Sequence, residues 1–441
     1  MPQHHLDARR QEVLRQVLVH VESRGALLVL EAPPGSGKTH VTMRAVALAR
    51  HRRQRVAVAA QTNAQADDLC RRMARDYPGI QVVRFASADR KQTDLGASVA
   101  WVSKGAEIPD GPTVAVATTA KWAASTIEDP YDFLFVDEAW QMSWADLMLL
   151  GKLAPRFVLV GDPGQIAPVV TIDVARWQTS RRPPHVPAPV VVLRDRGLPT
   201  KHLALPVTTR LPYDTVPIVQ AFYDFTFASW AAPGDRRVEV DDAQPGRGEG
   251  PDAAVDLLTT GSVAMLTLAT PAGGPPLEED VEVAQAAAAI ARRLIERRAR
   301  IATEKHAARE ITADDIGLAA SHRVMNTRMS EALGPLRSQI RVDTPERWQG
   351  LEKAVMIVVH PLSGVVNPTP FDLSTGRLCV MASRHSVGLV LVSRDHVGDT
   401  LGEYLPSATQ AVGLPDEAGR GHARNLAVWR RLVDEGRVAR G

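Results

Sequence analysis

The sequence predicts an α/β protein built from two tandem parallel-sheet domains, and three observations carry that expectation. Apolar runs of strand length recur along the chain: Ala26 to Leu30, Val56 to Ala60, Phe133 to Val136, and later Val355 to Val359 and Val387 to Val392. They are nearly continuous rather than alternating and are separated by helical periodicity, the pattern of a parallel sheet covered on both faces. A break at Arg181-Arg182-Pro183-Pro184-His185-Val186-Pro187-Ala188-Pro189 then divides the chain into two halves of the same character. The expected boundaries are 1–200 for the first domain, 201–405 for the second and 406–441 for a helical tail.

Composition sets the outer bounds. A chain of 441 residues with 45% apolar and 23% charged residues is long enough for two or three ordinary globular cores. The net charge of +2 means that any polyanion must be met by a local basic face. Two cysteines and thirteen scattered histidines offer no pairing or zinc spacing. No apolar run approaches the ~20 residues of a membrane span, and Met1 to Asp7 has no signal-peptide core. The expected location is the cytoplasm, without a membrane partner.

Taken in order, Val13, Leu14, Val17, Leu18 and Val21 mark an opening helix packed on the first strand. That strand runs into Glu31-Ala32-Pro33-Pro34-Gly35-Ser36-Gly37-Lys38-Thr39, followed by a helix through Val41, Met43, Ala45, Val46 and Leu48. Strand, Gly-rich loop and helix in this order form a phosphate-binding P-loop. Residues Pro34, Gly35, Ser36 and Gly37 turn the backbone so that N–H groups face phosphate oxygens, aided by the helix dipole. Lys38 is placed for the β- and γ-phosphates and the Thr39 hydroxyl for Mg²⁺. The expected ligands are ATP and Mg²⁺.

The second strand ends in Gln61-Thr62-Asn63, and a helix from Ala66 to Arg75 and a strand from Gln81 to Phe85 follow. A loose segment is expected from Ala86 to Gly111, then a strand from Thr113 to Ala117 ending in Thr118-Thr119. Phe133 to Val136 ends in Asp137-Glu138. An apolar strand closing on two acids places Asp137 toward the metal and Glu138 toward the attacking water as general base. The next strand, Arg156 to Val160, leads into Gly161-Asp162-Pro163-Gly164-Gln165, where Gln165 is a candidate γ-phosphate sensor. In the second half, strands are expected at Ser262–Leu268 and Ile316–Ala320 and a helix at Glu279–Arg300. The stretch Asp241 to Asp256 reads as a surface loop. The basic end of that helix, Arg292 to Arg300, reads as a solvated face more readily than as a polyanion site. Trp140, Trp144 and Trp348 read as packing residues.

The motifs Ala32 to Thr39, Asp137-Glu138-Ala139-Trp140-Gln141 and Gly161 to Val169 resemble motifs I, II and III of superfamily 1 helicases, which have two RecA-like domains around a nucleotide cleft. The Asp-Glu-Ala-x-Gln form is similar to the branch containing the nonsense-mediated-decay RNA helicase and its bacterial relatives. The resemblance extends in order to Arg384. It implies that Gln11 reads adenine, that Thr62-Asn63, Thr118-Thr119 and Thr344 bind the nucleic-acid strand, and that Glu352 binds ribose. It also implies that Arg210, and Arg384 in Arg377 to Arg384, reach the γ-phosphate as arginine fingers. Short polar residues at strand ends suit backbone phosphates, although all five also suit helix capping, Asn63 and Thr119 in particular.

This sequence departs from the family in two places: Thr209 stands where an aromatic usually precedes Arg210, and Ser383-Arg384-His385 replaces Thr-Arg-Ala. Little sequence is left for the inserted barrel and helical subdomains of larger members. The reading is therefore an ATP-hydrolysing motor on single-stranded DNA or RNA. It is expected to be a monomeric core, 5′ to 3′ and weakly processive alone, and helped by an accessory protein. The alternative is an ATP-dependent switch that gates a protein partner without translocation.

Overall fold

Leu28, Val29 and Leu30 are fully buried at the centre of the first strand. The computed structural model describes residues 3–168, 170, 173–177, 179–244, 248–275, 279–403 and 416–441. Val169, Glu278 and residues 406–415 of the expected tail lie outside the described residues. The chain forms two units, Met1–Pro163 with Ala167–Pro206, and Gly164–Ile166 with Val207–Gly441.

The first unit contains α1 (Gln3–Glu22), β1 (Leu27–Glu31), α2 (Lys38–His51), β2 (Val56–Ala60), α3 (Asn63–Asp76), β3 (Val82–Phe85) and β4 (Val99–Val102). It continues through β5 (Val114–Thr118), α4 (Thr119–Ala123), β6 (Phe133–Val136), α5 (Trp144–Leu149), β7 (Phe157–Gly161), α6 (Ala188–Arg194) and β8 (Lys201–Ala204). The eight strands pair in parallel in the order β4-β3-β5-β2-β6-β7-β1-β8. One apolar layer joins α1, α2 and α3 to the sheet through Val17, Val46 and Leu69, and a second joins Trp122, Trp140 and Val191 to the other face. Continuous apolar strands are the consequence, because neither face meets water. Register opposes Glu31 to Gly161 and Val136 to Leu159, so the P-loop, Asp137 and Asp162 all leave the sheet at one edge.

In the second unit the elements begin with β9 (Val207–Thr208), α7 (Val216–Gln220), β10 (Ala228–Ser229), β11 (Arg237–Glu239), α8 (Gly250–Thr259), β12 (Val263–Leu268) and α9 (Val281–Glu296). Next come β13 (Arg300–Thr303), β14 (His306–Glu310), β15 (Ile316–Ala319), α10 (Arg323–Ala332), β16 (Arg341–Asp343), α11 (Pro345–Trp348) and β17 (Lys353–Val359). The unit closes with α12 (Thr375–Ala382), β18 (His385–Arg394), α13 (His396–Glu403), α14 (Glu417–Asp434) and β19 (Val438–Arg440). Its main sheet is parallel, in the order β16-β15-β17-β18-β12-β19. Strands β11, β13 and β14 form a small antiparallel sheet. Two α/β units with parallel sheets, one of them carrying a P-loop, are the tandem RecA-like arrangement.

Three local expectations are corrected. The segment 86–111 contains strand β4, whose Val99, Ala100, Trp101 and Val102 lie on the sheet edge and are only partly covered. The segment 241–256 read as loop because of its Gly and Pro, but Pro251 sits in the first turn of α8, where its missing N–H costs nothing. The break at 181–189 likewise runs into α6, with Pro189 in its first turn. The basic end of α9 is neutralised by this same region. Arg293 pairs with Asp252 at 2.7 Å and Arg297 with Asp256 at 2.7 Å. Trp348 is fully buried, donating its indole N–H to Leu318 O at 3.1 Å.

One buried ion network braces the sheet edge of the first unit. Arg84 has no exposed side-chain surface and donates to Asp67 Oδ1 at 2.7 Å and to Asn63 Oδ1 at 2.8 Å. Removing one partner of a buried pair strands the other charge. Asp67→Ala is therefore expected to destabilise the protein by about 3–5 kcal/mol. Urea unfolding checks this, and a loss below 1 kcal/mol would count against the network's structural role.

Candidate active site and phosphate-binding groove

The P-loop is shaped by two left-handed glycines, Gly35 at φ 69° and Gly37 at φ 82°, and Gly37 caps α2. A side chain is strained in this region of backbone space, so both turns of the loop require glycine. Across the sheet edge, Glu138 is itself left-handed at φ 53°. Such a conformation in a non-glycine residue stores strain of the kind found at functional sites. It brings Glu138 Oε1 within 2.8 Å of Lys38 Nζ.

Charge is concentrated here. Burial alone lowers the pKa of Lys38, but Glu138, Asp162 and Asp137 together outweigh it and hold the ammonium above its ordinary value. Asp137 is pushed up to about 7 by burial and by the adjoining Glu138, against the pull of Lys38. Among the described residues, Ser36 Oγ, Asp137 Oδ1 and Glu138 Oε2 are buried and have no hydrogen-bond partner. Unsatisfied buried oxygens beside an elevated lysine fit an anionic ligand and a hard cation. Among the described residues no group of three or more His, Cys, Asp or Glu could hold a metal. Mg²⁺ takes one or two protein oxygens and completes its shell with phosphate and water. Asp137 and the Thr39 hydroxyl are the residues that would hold it.

The other candidates divide by what their side chains do. Thr62 caps α3 in a reciprocal box with Gln65, and Asn63 accepts from Arg84. Thr118 caps α4, accepting from Lys121 N at 3.2 Å. Thr119 donates to Gln61 Oε1 at 3.3 Å, and Gln61 Nε2 donates to Asp137 O at 3.4 Å. The strand-end polar cluster is therefore tied by hydrogen bonds to the backbone of Asp137. Gln11 is exposed on α1.

In the second unit, Gln165 is buried, and Gly376 of α12 leaves room for its carbonyl, since a Cβ there would lie 2.6 Å from it. Arg384 is buried and donates through Nε to Val380 O at 3.2 Å. Arg210 donates to Glu352 Oε2 at 2.7 Å and to Ser383 O at 3.4 Å, so the implied finger and the implied ribose ligand are paired with each other. His385, after Arg384, is fully buried and shares a 3.0 Å hydrogen bond with Thr215; burial and then the nearby Arg210 push its pKa down to about 3.

Thr344 lines an open groove of about 530 Å³ with Arg323, Arg337, Arg347, Thr327 and Ser330, and with two acids, Glu331 and Asp343. Neither Arg323 nor Arg337 has an acidic partner among the described residues. Arg347 lies 3.7 Å from Asp343. Three guanidinium groups with hydroxyls between them suit successive backbone phosphates. Sequence reading singled out only Thr344 here. The arginines lie on different elements, and the fold brings them together. It also did not single out Asp162, although Gly161-Asp162-Pro163 follows a buried strand as Asp137 does.

A family model described as an AAA domain matches residues 5–187. No curated protein matches the chain. Solved structures similar to it include an arterivirus nonstructural protein 10, a helicase, at 14% identity and TM-score 0.43, covering 89% of this chain and 63% of that one. The PRRSV helicase aligns at 14% identity and TM-score 0.42, covering 86% of this chain and 54% of that one. A complex of arterivirus nonstructural protein 10 with DNA aligns at 14% identity and TM-score 0.42, covering 87% and 63%. The chain thus spans less than two thirds of each of these structures' chains.

Proposed function

We propose that this protein is an ATP-hydrolysing motor of the superfamily 1 helicase type that acts on single-stranded DNA or RNA. The observation that carries the reading is the Lys38–Glu138 contact at a P-loop whose facing oxygens, on Ser36 and Asp137, lack partners. Lys38 binds the β- and γ-phosphates, releasing Glu138 from its 2.8 Å pairing to orient and deprotonate the attacking water. Asp137 and Thr39 would hold Mg²⁺, which would supply charge neutralisation on the phosphates. Arg384 and Arg210 are the candidates for stabilising transition-state charge, Arg210 after leaving Glu352.

The groove at Thr344 supports a phosphate-tracking contact with the strand. A polarity of 5′ to 3′ and the Asp-Glu-Ala-x-Gln branch rest on motif resemblance alone. The test is ATP turnover with and without oligonucleotide at two salt concentrations. Stimulation of at least tenfold, falling steeply with salt, is the expected result, because affinity for a strand carried by phosphates is lost through counterion competition. Turnover indifferent to DNA and RNA would favour the nucleotide switch gating a protein partner.

A further inference from the structure

Helix α1 buries one stripe, Leu6, Leu14, Val17 and Val21. Arg10 lies four residues from both Leu6 and Leu14, so it is the charged member of that stripe, while Gln11 falls on the exposed face. Arg10 is half-buried there, and a guanidinium on a packed face is expected to meet a carboxylate. Among the described residues Arg10 has none. Instead its side chain rests on the P-loop: a Cβ built on Gly37 would stand 3.1 Å from an Arg10 terminal nitrogen. Gly37 has no side chain to hold the guanidinium away, and its φ of 82° keeps it glycine.

We infer that Arg10 is a phosphate ligand of the nucleotide, contacting the α- or β-phosphate from α1 beside Gly37, and this rests on the P-loop reading above. The missing counter-charge is then the ligand's own. The contact lies at the start of α2, where the helix dipole already favours an anion. Gln11, one residue on, is free to meet a base, so adjacent residues of α1 divide the nucleotide between them.

The test compares wild type, Arg10→Ala, Arg10→Lys and Lys38→Ala by titration with a fluorescent ADP analogue and competition by inorganic pyrophosphate, which has no base. A charge-assisted hydrogen bond predicts about tenfold or greater weakening of ADP and of pyrophosphate alike in Arg10→Ala. Partial recovery in Arg10→Lys and a KM for ATP that rises more than kcat falls are also expected. Unchanged pyrophosphate competition in a folded Arg10→Ala overturns the assignment while leaving the nucleotide site intact. Wild-type protein that binds no nucleotide overturns the underlying P-loop reading and the assignment with it.

Discussion

Lys38→Ala is expected to weaken ATP binding and to abolish turnover, whereas Glu138→Gln keeps ATP bound and loses turnover alone. The separation follows from the geometry. Lys38 is held as a cation by the carboxylates of Glu138, Asp162 and Asp137, so it contributes to binding in the ground state as well as the transition state. Glu138 has one oxygen on Lys38 at 2.8 Å and one without a partner, which suits a water-orienting base. Removing a positioned base costs about 10²–10⁴-fold in rate. Glutamine keeps the shape and loses the basicity. Equilibrium binding of a fluorescent ATP analogue beside steady-state turnover measures both quantities. Wild-type turnover in Glu138→Gln would remove Glu138 from the chemistry.

Arg384→Ala is expected to lower kcat by ~10³-fold or more with a smaller change in ATP affinity, the signature of a contact made in the transition state. Arg384 is buried at the end of α12, with its Nε held by Val380 O at 3.2 Å. A guanidinium fixed in this way loses little freedom when it meets developing charge. Truncation of a buried arginine can also destabilise, so the variant's urea midpoint is measured alongside. A folded variant with kcat within threefold of wild type would assign Arg384 a purely structural role.

Much of the fold was legible because burial on both sheet faces writes itself as uninterrupted apolar runs: Leu28 to Leu30 and Phe133 to Val136 are buried throughout. The elements that escaped lack that signature. Strand β4 has only partly covered residues at an edge, β8 begins Lys201-His202, and β19 is three residues long. Helix α8 was hidden by Gly250 and Pro251, loop formers that also open helices.

At the site, the placement of Lys38, Asp137 and Glu138 could be read from local motifs, since each follows a buried strand. Competition with helix capping was legible at these strand ends, but which residue of each pair caps was not. Thr62 and Thr118 have the chemistry of phosphate ligands and are used as helix caps, and Asn63 is engaged by Arg84. Arg210 and Glu352 are 142 residues apart and paired. Arg10 could have been found, because its spacing from Leu6 and Leu14 marks a charge on an apolar stripe. The neighbouring Gln11 drew the assignment by motif resemblance instead.

Displacement of streptavidin from end-biotinylated single-stranded oligonucleotides distinguishes a motor from a switch. With ATP, the expected result is accelerated release from 3′-biotinylated strands, little from 5′-biotinylated ones, and none with Glu138→Gln. ATP turnover that rises with oligonucleotide, but with streptavidin retained at both ends, would contradict translocation and leave the nucleic acid as a cofactor of a switch.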